Sequence, residues 1–181
     1  CLILGPGVSF PADFAAGKIK TRSVVSTEDM LRAAAEELSS GEYDVFISAG
    51  APADYSVVSP KKGKISTAEN DRLSIQLSAT PKIISFVKEK YPDIFVVAFK
   101  AEYGADVDEL IRKARESQEK SGSDLVVAND VGRADIGFGS DYNEVILVPR
   151  EGEPKVLKKA SKDEIASQIL DFIVERKLVN F

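Results

Sequence analysis

Two runs in this chain, Ile94–Phe99 and Leu125–Ala128, are apolar at every position, and a charged amphipathic segment, Val107 to Lys120, separates them. A strand without a polar face must be covered on both sides, the habit of parallel sheets with helices above and below. The rest of the chain keeps the same alternation. Leu2–Leu4 and Arg22–Val25 read as short strands, with Gly5-Pro6-Gly7 a turn that frees backbone amides. Thr27 fits an N-cap, with Glu28 and Asp29 in the first turn and Met30, Leu31, Ala34 and Leu38 at helical spacing. Val45–Ile47 reads as a buried strand. Thr80 and Pro81 suit the cap and first position of a helix turning Ile83, Ile84 and Val87 inward. Val145–Val148 and Val156–Leu157 flank Glu151-Gly152-Glu153 as a hairpin. Ser161 caps a last helix whose inner face is Ile165, Ile169, Phe172 and Ile173. Leu73–Leu77 alternates strictly, which predicts a half-exposed strand paired with Gly63–Ile65 in an antiparallel flap. The expected fold is α/β: one domain over residues 1–181, a Rossmann-like, mostly parallel sheet flanked by helices, with an antiparallel flap or edge hairpin.

Composition narrows the chemistry. At 181 residues and 44% hydrophobic content the chain can bury a sizeable core. A net charge of −5, with no dense basic block among aromatics, argues against a nucleic-acid partner. The single cysteine, Cys1, excludes an intrachain disulfide and a cysteine-based zinc site. With no histidine, the usual general base, the Ser-His triad and most metal sites are gone. Catalysis would fall to Lys, Asp or Glu, Asn, backbone amides, or a metal held by carboxylates and phosphates. No long apolar run suggests a membrane span and no signal-peptide pattern occurs, so the expected location is the cytoplasm.

One stretch points to a ligand. After Val45–Ile47 the chain runs Ser48-Ala49-Gly50-Ala51-Pro52-Ala53, then Asp54-Tyr55, then Lys61, Lys62 and Lys64. Small residues at a strand's carboxyl end let a ligand approach the backbone, and a carboxylate followed by lysines suits a nucleotide or another phosphorylated substrate. The other reading is an ordinary strand-to-loop transition with solvated lysines, and Lys61 and Lys62 fit that description better than catalysis. A strand-end Phe99 packs against a base or simply joins the core. Asn129-Asp130 serves either as a ligand contact or as a turn starter. Neither G-x-G-x-x-G nor a P-loop occurs, which disfavours an unrelated Rossmann-like dehydrogenase.

Ile47-Ser48-Ala49-Gly50-Ala51-Pro52-Ala53-Asp54-Tyr55 resembles the "AAxADY" segment of the phosphopantothenoylcysteine synthetases, also called phosphopantothenate–cysteine ligases. The likeness continues collinearly through Gly5-Pro6 with Pro11, Lys64-Ile65, Leu73–Leu77, Thr80-Pro81-Lys82-Ile83 and Ala98-Phe99-Lys100-Ala101-Glu102. It then reaches Asp124 to Asp130 and closes on Gly137 to Val145. The resemblance implies a ligase of coenzyme A biosynthesis. Such enzymes activate the carboxylate of 4′-phosphopantothenate as an acyl-nucleotidylate, with CTP or ATP and Mg²⁺, and cysteine's amine then forms the amide. It implies a nucleotide over Ser48, Ala49 and Gly50, with Asp54 contacting base or ribose. Ser78, Ala79, Thr80, Pro81 and Phe99 would complete the nucleoside pocket, and Lys64 would be the catalytic flap lysine that reaches the phosphates. No residue is assigned to the metal. A homodimer built partly on the flap is expected, and a flavin-dependent decarboxylase is a possible fused or associated partner.

Departures from the family pattern carry their own expectations. Pro52 replaces an apolar residue usual in the family. Lys64-Ile65 is followed by Ser66-Thr67 where further lysines are usual. Ser117 and Ser121 occupy positions of two helix lysines, with Lys113 and Lys120 as substitutes, which leaves CTP against ATP open. The family's glycine-rich first βα unit would lie upstream of Cys1. The chain is therefore expected to bind nucleotide without completing ligation alone, the competing description being a non-catalytic nucleotide-binding Rossmann-like subunit.

Overall fold

The computed structural model describes residues 1–8, 19–67, 72–137 and 139–179. In chain order its elements are β1 (Leu2–Leu4), β2 (Thr21–Ser23), α1 (Thr27–Leu38), β3 (Val45–Ser48), β4 (Tyr55–Val57), β5 (Leu77–Ala79) and α2 (Ile83–Lys90). There follow β6 (Phe95–Glu102), α3 (Val107–Ser121), β7 (Leu125–Asp130), β8 (Tyr142–Pro149), β9 (Lys155–Ser161) and α4 (Lys162–Val179). The chain packs as two compact units: Cys1–Gly41 with Gly50–Ile83, and Glu42–Ala49 with Ile84–Phe181.

The larger unit is built on a five-stranded sheet in the order β3-β6-β7-β8-β9. β3, β6 and β7 are parallel, while β8 and β9 run antiparallel as the edge hairpin. The continuous apolar runs have the expected cause. Val97, Leu125, Val127 and Leu147 face α4 through Ile165, Ile169, Phe172 and Ile173. Ala98, Val126, Ala128, Ile146 and Val148 face α3 through Leu110 and Ala114. Side chains alternate between sheet faces and each face carries a helix, so every position is apolar.

Local signals set the ends of these elements. Asp106 caps α3 by accepting from the Glu109 amide at 2.9 Å, and the helix stops at Gly122, in the left-handed region at φ 77°. The Lys88 ammonium donates to the Pro92 and Ile94 carbonyls and to Asp124 Oδ2 at 2.8–3.0 Å. Asp124 Oδ2 also accepts from the Val96 amide at 2.7 Å, tying the end of α2 to the starts of β6 and β7. One expectation fails here. β3 is not a buried strand: among the described residues it pairs only with β6 within its sheet, and Ile47 is 41% exposed.

In the smaller unit β1 and β2 form a parallel pair, and β4 and β5 an antiparallel one with Tyr55 opposite Ala79. The cap of α1 is Ser26, one residue before the expected Thr27. Its hydroxyl accepts from the Asp29 amide at 3.0 Å while Asp29 Oδ2 accepts from the Ser26 amide at 3.2 Å, a closed capping box. Thr27 is the first helical residue. Helix α2 starts at Ile83, so Thr80 and Pro81 are neither its cap nor its first position. The flap is also rearranged. Residues 73–76 and 63–65 form no strand, and the hairpin is β4 with β5. Leu73, Ile75 and Leu77 are 55–60% exposed. Alternation alone supplied no partner strand, whereas bonds from Thr80 N to Asp54 O and from Val58 N to Gln76 O bracket the β4–β5 ladder.

Candidate functional site

In the smaller unit, the backbone around Ala53 and Asp54 is pinned. The Ala53 carbonyl accepts from the Thr80 hydroxyl at 2.6 Å and from the Thr27 hydroxyl at 3.1 Å, and the Asp54 carbonyl accepts from the Thr80 amide at 2.9 Å. Thr80 is thus buried for a reason other than capping: it is the crosslink that fixes this turn. The Asp54 carboxylate stands outside, accepting from the Lys82 ammonium at 2.6 Å. That hydrogen bond, and then the lysine's charge, hold its carboxyl below the usual aspartate range. A cavity of about 540 Å³ adjoins the pinned turn, lined by Leu4, Gly5, Ser26, Gly50, Ala53 and Thr80 among others. A side chain at Gly50 would meet nothing within 4 Å, so the backbone there is open to a ligand.

Of the expected site residues, Gly50, Asp54, Ser78, Ala79, Thr80, Pro81 and Lys64 belong to this unit. Thr80 and Asp54 are brought together. Ser78 and Ala79 are exposed on β5, opposite Ser56 and Tyr55. Pro81 is exposed between β5 and α2, and Lys64 is exposed in a segment without a strand. Ser48, Ala49 and Phe99 belong to the larger unit. Ser48 ends β3 in register with Ala98, and Ala49 is exposed after it. Phe99 lies on β6 opposite Val127 and is 39% exposed, so it is neither fully core nor free of the sheet.

The carboxyl ends of β6 and β7 are stapled. Asp130 Oδ1 accepts from the Gly104 amide at 2.7 Å and the Gly132 amide at 2.8 Å. A methyl group on Gly132 would sit 2.7 Å from the Gly104 nitrogen, a contact that excludes any other residue unless the loops part. Asp130 therefore does local bonding work, while Asn129 is 9% exposed with its amide 3.4 Å from Asn143 Oδ1. Glu102 binds Lys113 at 2.7 Å and Lys100 at 3.1 Å, and the Lys113 hydrogen bond chiefly keeps its carboxyl below the usual range. Lys113 also meets Glu109 at 3.2 Å, so two carboxylates already engage this candidate phosphate contact. Ser121 donates to the Ser117 carbonyl, and Lys120 is exposed. Sequence reasoning did not assign Thr27 or Lys82 to the site. For Lys82 the signal was present, two residues after Thr80 in the same short stretch.

Residues 2–177 match the family model described as DNA/pantothenate metabolism flavoprotein C-terminal domain. The chain is 43% identical over 150 residues to the coenzyme A biosynthesis bifunctional protein CoaBC of Thermococcus kodakarensis, covering 83% of this chain and 36% of that protein. It is 31% identical over 139 residues to phosphopantothenate–cysteine ligase 2 of Oryza sativa subsp. japonica, covering 75% and 40%. The chain thus spans well under half the length of these curated relatives. The crystal structure of the DNA/pantothenate metabolism flavoprotein from Streptococcus pneumoniae has a TM-score of 0.77 at 28% identity, covering 97% of this chain and 80% of that one. Among the described residues no helix is long and apolar enough to cross a membrane. A match that runs almost end to end decides membership: the chain belongs to the DNA/pantothenate metabolism flavoprotein C-terminal domain family.

Proposed function

We propose that this chain is the ligase part of a coenzyme A biosynthesis protein, joining 4′-phosphopantothenate to cysteine at the expense of CTP or ATP. The observation that carries the reading is the pinned Ala53–Asp54 turn. The segment resembling the family's Ala-Asp-Tyr stretch is held by bonds from Thr27 and Thr80 beside an open glycine and a cavity of about 540 Å³. The name of the rice relative, a phosphopantothenate–cysteine ligase, supports it.

In this reading a carboxylate oxygen of 4′-phosphopantothenate attacks the α-phosphorus and pyrophosphate leaves. Cysteine's amine then attacks the acyl carbon and the nucleoside monophosphate leaves. Both steps depend on positioning and charge stabilisation, which suits a chain without histidine. Asp54 orients the nucleoside, Gly50 opens the backbone to it, and Lys64 supplies positive charge to the phosphates. The described residues hold no group of three His, Cys, Asp or Glu that would cage a metal ion. Magnesium bound with the triphosphate would supply neutralisation of its charge.

The reading extends to a homodimer resting on the exposed apolar side chains Tyr55, Leu73, Ile75 and Leu77, to a cytoplasmic location, and to an associated or fused flavin-dependent decarboxylase. Its test is calorimetry with CTP and ATP, then pyrophosphate release and mass-spectrometric detection of phosphopantothenoylcysteine. Binding with turnover supports the ligase. Binding without turnover, unchanged when the preceding segment of a full-length relative is added, favours the non-catalytic subunit. No binding of either nucleotide overturns the reading.

A further inference from the structure

Lys82 has no role in the account above, yet its position is unusually well controlled. Its backbone is bracketed by two buried residues, Thr80 and Ile83, at 7% and 5% exposure. Its ammonium lies 2.6 Å from Asp54 Oδ1, and Asp54 in turn follows the carbonyl that Thr27 and Thr80 pin. Both side chains are about two-thirds exposed. An ion pair that exposed adds little to stability, so a scaffold of buried threonines beneath it is not explained by folding alone.

We propose that Lys82 is a phosphate-binding residue, aimed by Asp54; this rests on the nucleotide reading above. An ammonium has three donors and Asp54 takes one, leaving two for a bound ligand. Asp54 Oδ2 is left as an acceptor for hydroxyl groups. A diol acceptor and a phosphate donor fixed side by side form the recognition pattern of a nucleotide. Several other basic groups of the smaller unit are committed elsewhere: Lys20 and Arg22 pair with Glu37, and Arg32 with Asp29. Lys64 is the other cation that the nucleotide reading brings to the phosphates, and it lies in a segment without a strand, whereas Lys82 is held by its partner.

The test compares Lys82→Met with the unaltered chain for binding of CTP, by calorimetry, and of cytidine, by NMR shift titration, with magnesium present. We expect at least a fivefold loss of CTP affinity, unchanged cytidine binding, a flatter salt dependence for CTP and an unmoved melting temperature. Lys82→Arg should recover most of the loss. Equal losses for CTP and cytidine mean that Lys82 acts only by holding Asp54, and unchanged CTP affinity means that it does not act; either result overturns the proposal. If the unaltered chain binds neither compound, nor ATP, the nucleotide reading itself has failed and the proposal falls with it. Failure of the inference alone appears as CTP binding that is indifferent to position 82.

Discussion

β7 and β3 read almost alike as sequence, Leu-Val-Val-Ala-Asn-Asp against Val-Phe-Ile-Ser, and their surroundings are opposite. β7 has a strand on each side and a helix on each face, and Leu125 to Ala128 are fully buried. Among the described residues, β3 has within its sheet a strand on one side only, and Ile47 is 41% exposed. An apolar run reports that burial is permitted; the number of neighbours decides whether it occurs.

The contrast is broken most directly by truncation. Leu125→Ala should cost about 3 kcal/mol, the lost burial plus the cavity left behind, whereas Ile47→Ala should cost under about 1 kcal/mol. Urea denaturation of both variants measures this, and equal losses would mean that the two strands are equivalent in solution. Next in size, Asp124→Ala should cost about 2 kcal/mol, because it leaves the half-buried Lys88 ammonium and the Val96 amide without their shared acceptor. The same measurement on Asp163→Ala, an exposed acid in the first turn of α4, should register little.

The smaller unit should respond in binding rather than in stability. Asp54→Ala is expected to weaken CTP or ATP binding about tenfold, near 1.4 kcal/mol, with the unfolding midpoint unmoved. Unchanged affinity for both nucleotides by calorimetry would remove Asp54 from the site. The smallest effect concerns acid. Asp135 is held at about 2 by hydrogen bonds from Lys159 and then Arg133, well below its ordinary value. Its contribution is complete above the unfolded value near 4 and is lost as pH falls through about 2. A carboxyl-carbon NMR titration with a midpoint at an ordinary aspartate value would count against that clamp.

The β6–α3–β7 core and the inner face of α4 were legible because period and composition agreed over long segments with partners close by in sequence. Residues 73–77 were not legible: their alternation is real, but strand pairing is a long-range choice, and Thr80 made it by bonding back to Ala53 and Asp54. The same bond misled the reading of Thr80 as a helix cap, since a hydroxyl with a distant acceptor looks identical in sequence to one with a local amide. Thr27 was misread beside an equally good cap, Ser26, and the carboxylate three residues on closed the box with Ser26 instead. Asp54 was legible as a candidate through its setting among small residues. Lys82 stood in the same short stretch as Thr80, but nothing in the sequence paired it with Asp54, 28 residues away.

The Asp130 staple has a dynamic consequence. Amide hydrogens in loops usually trade with solvent quickly, but those of Gly104 and Gly132 are both held by one carboxylate, and their backbones touch too closely for a side chain between them. In deuterium these two loop positions should behave like strand interior, opening only when the sheet itself opens. The rim at the carboxyl ends of β6 and β7 is therefore ordered in advance, so a contact made there carries no cost of fixing these two loops.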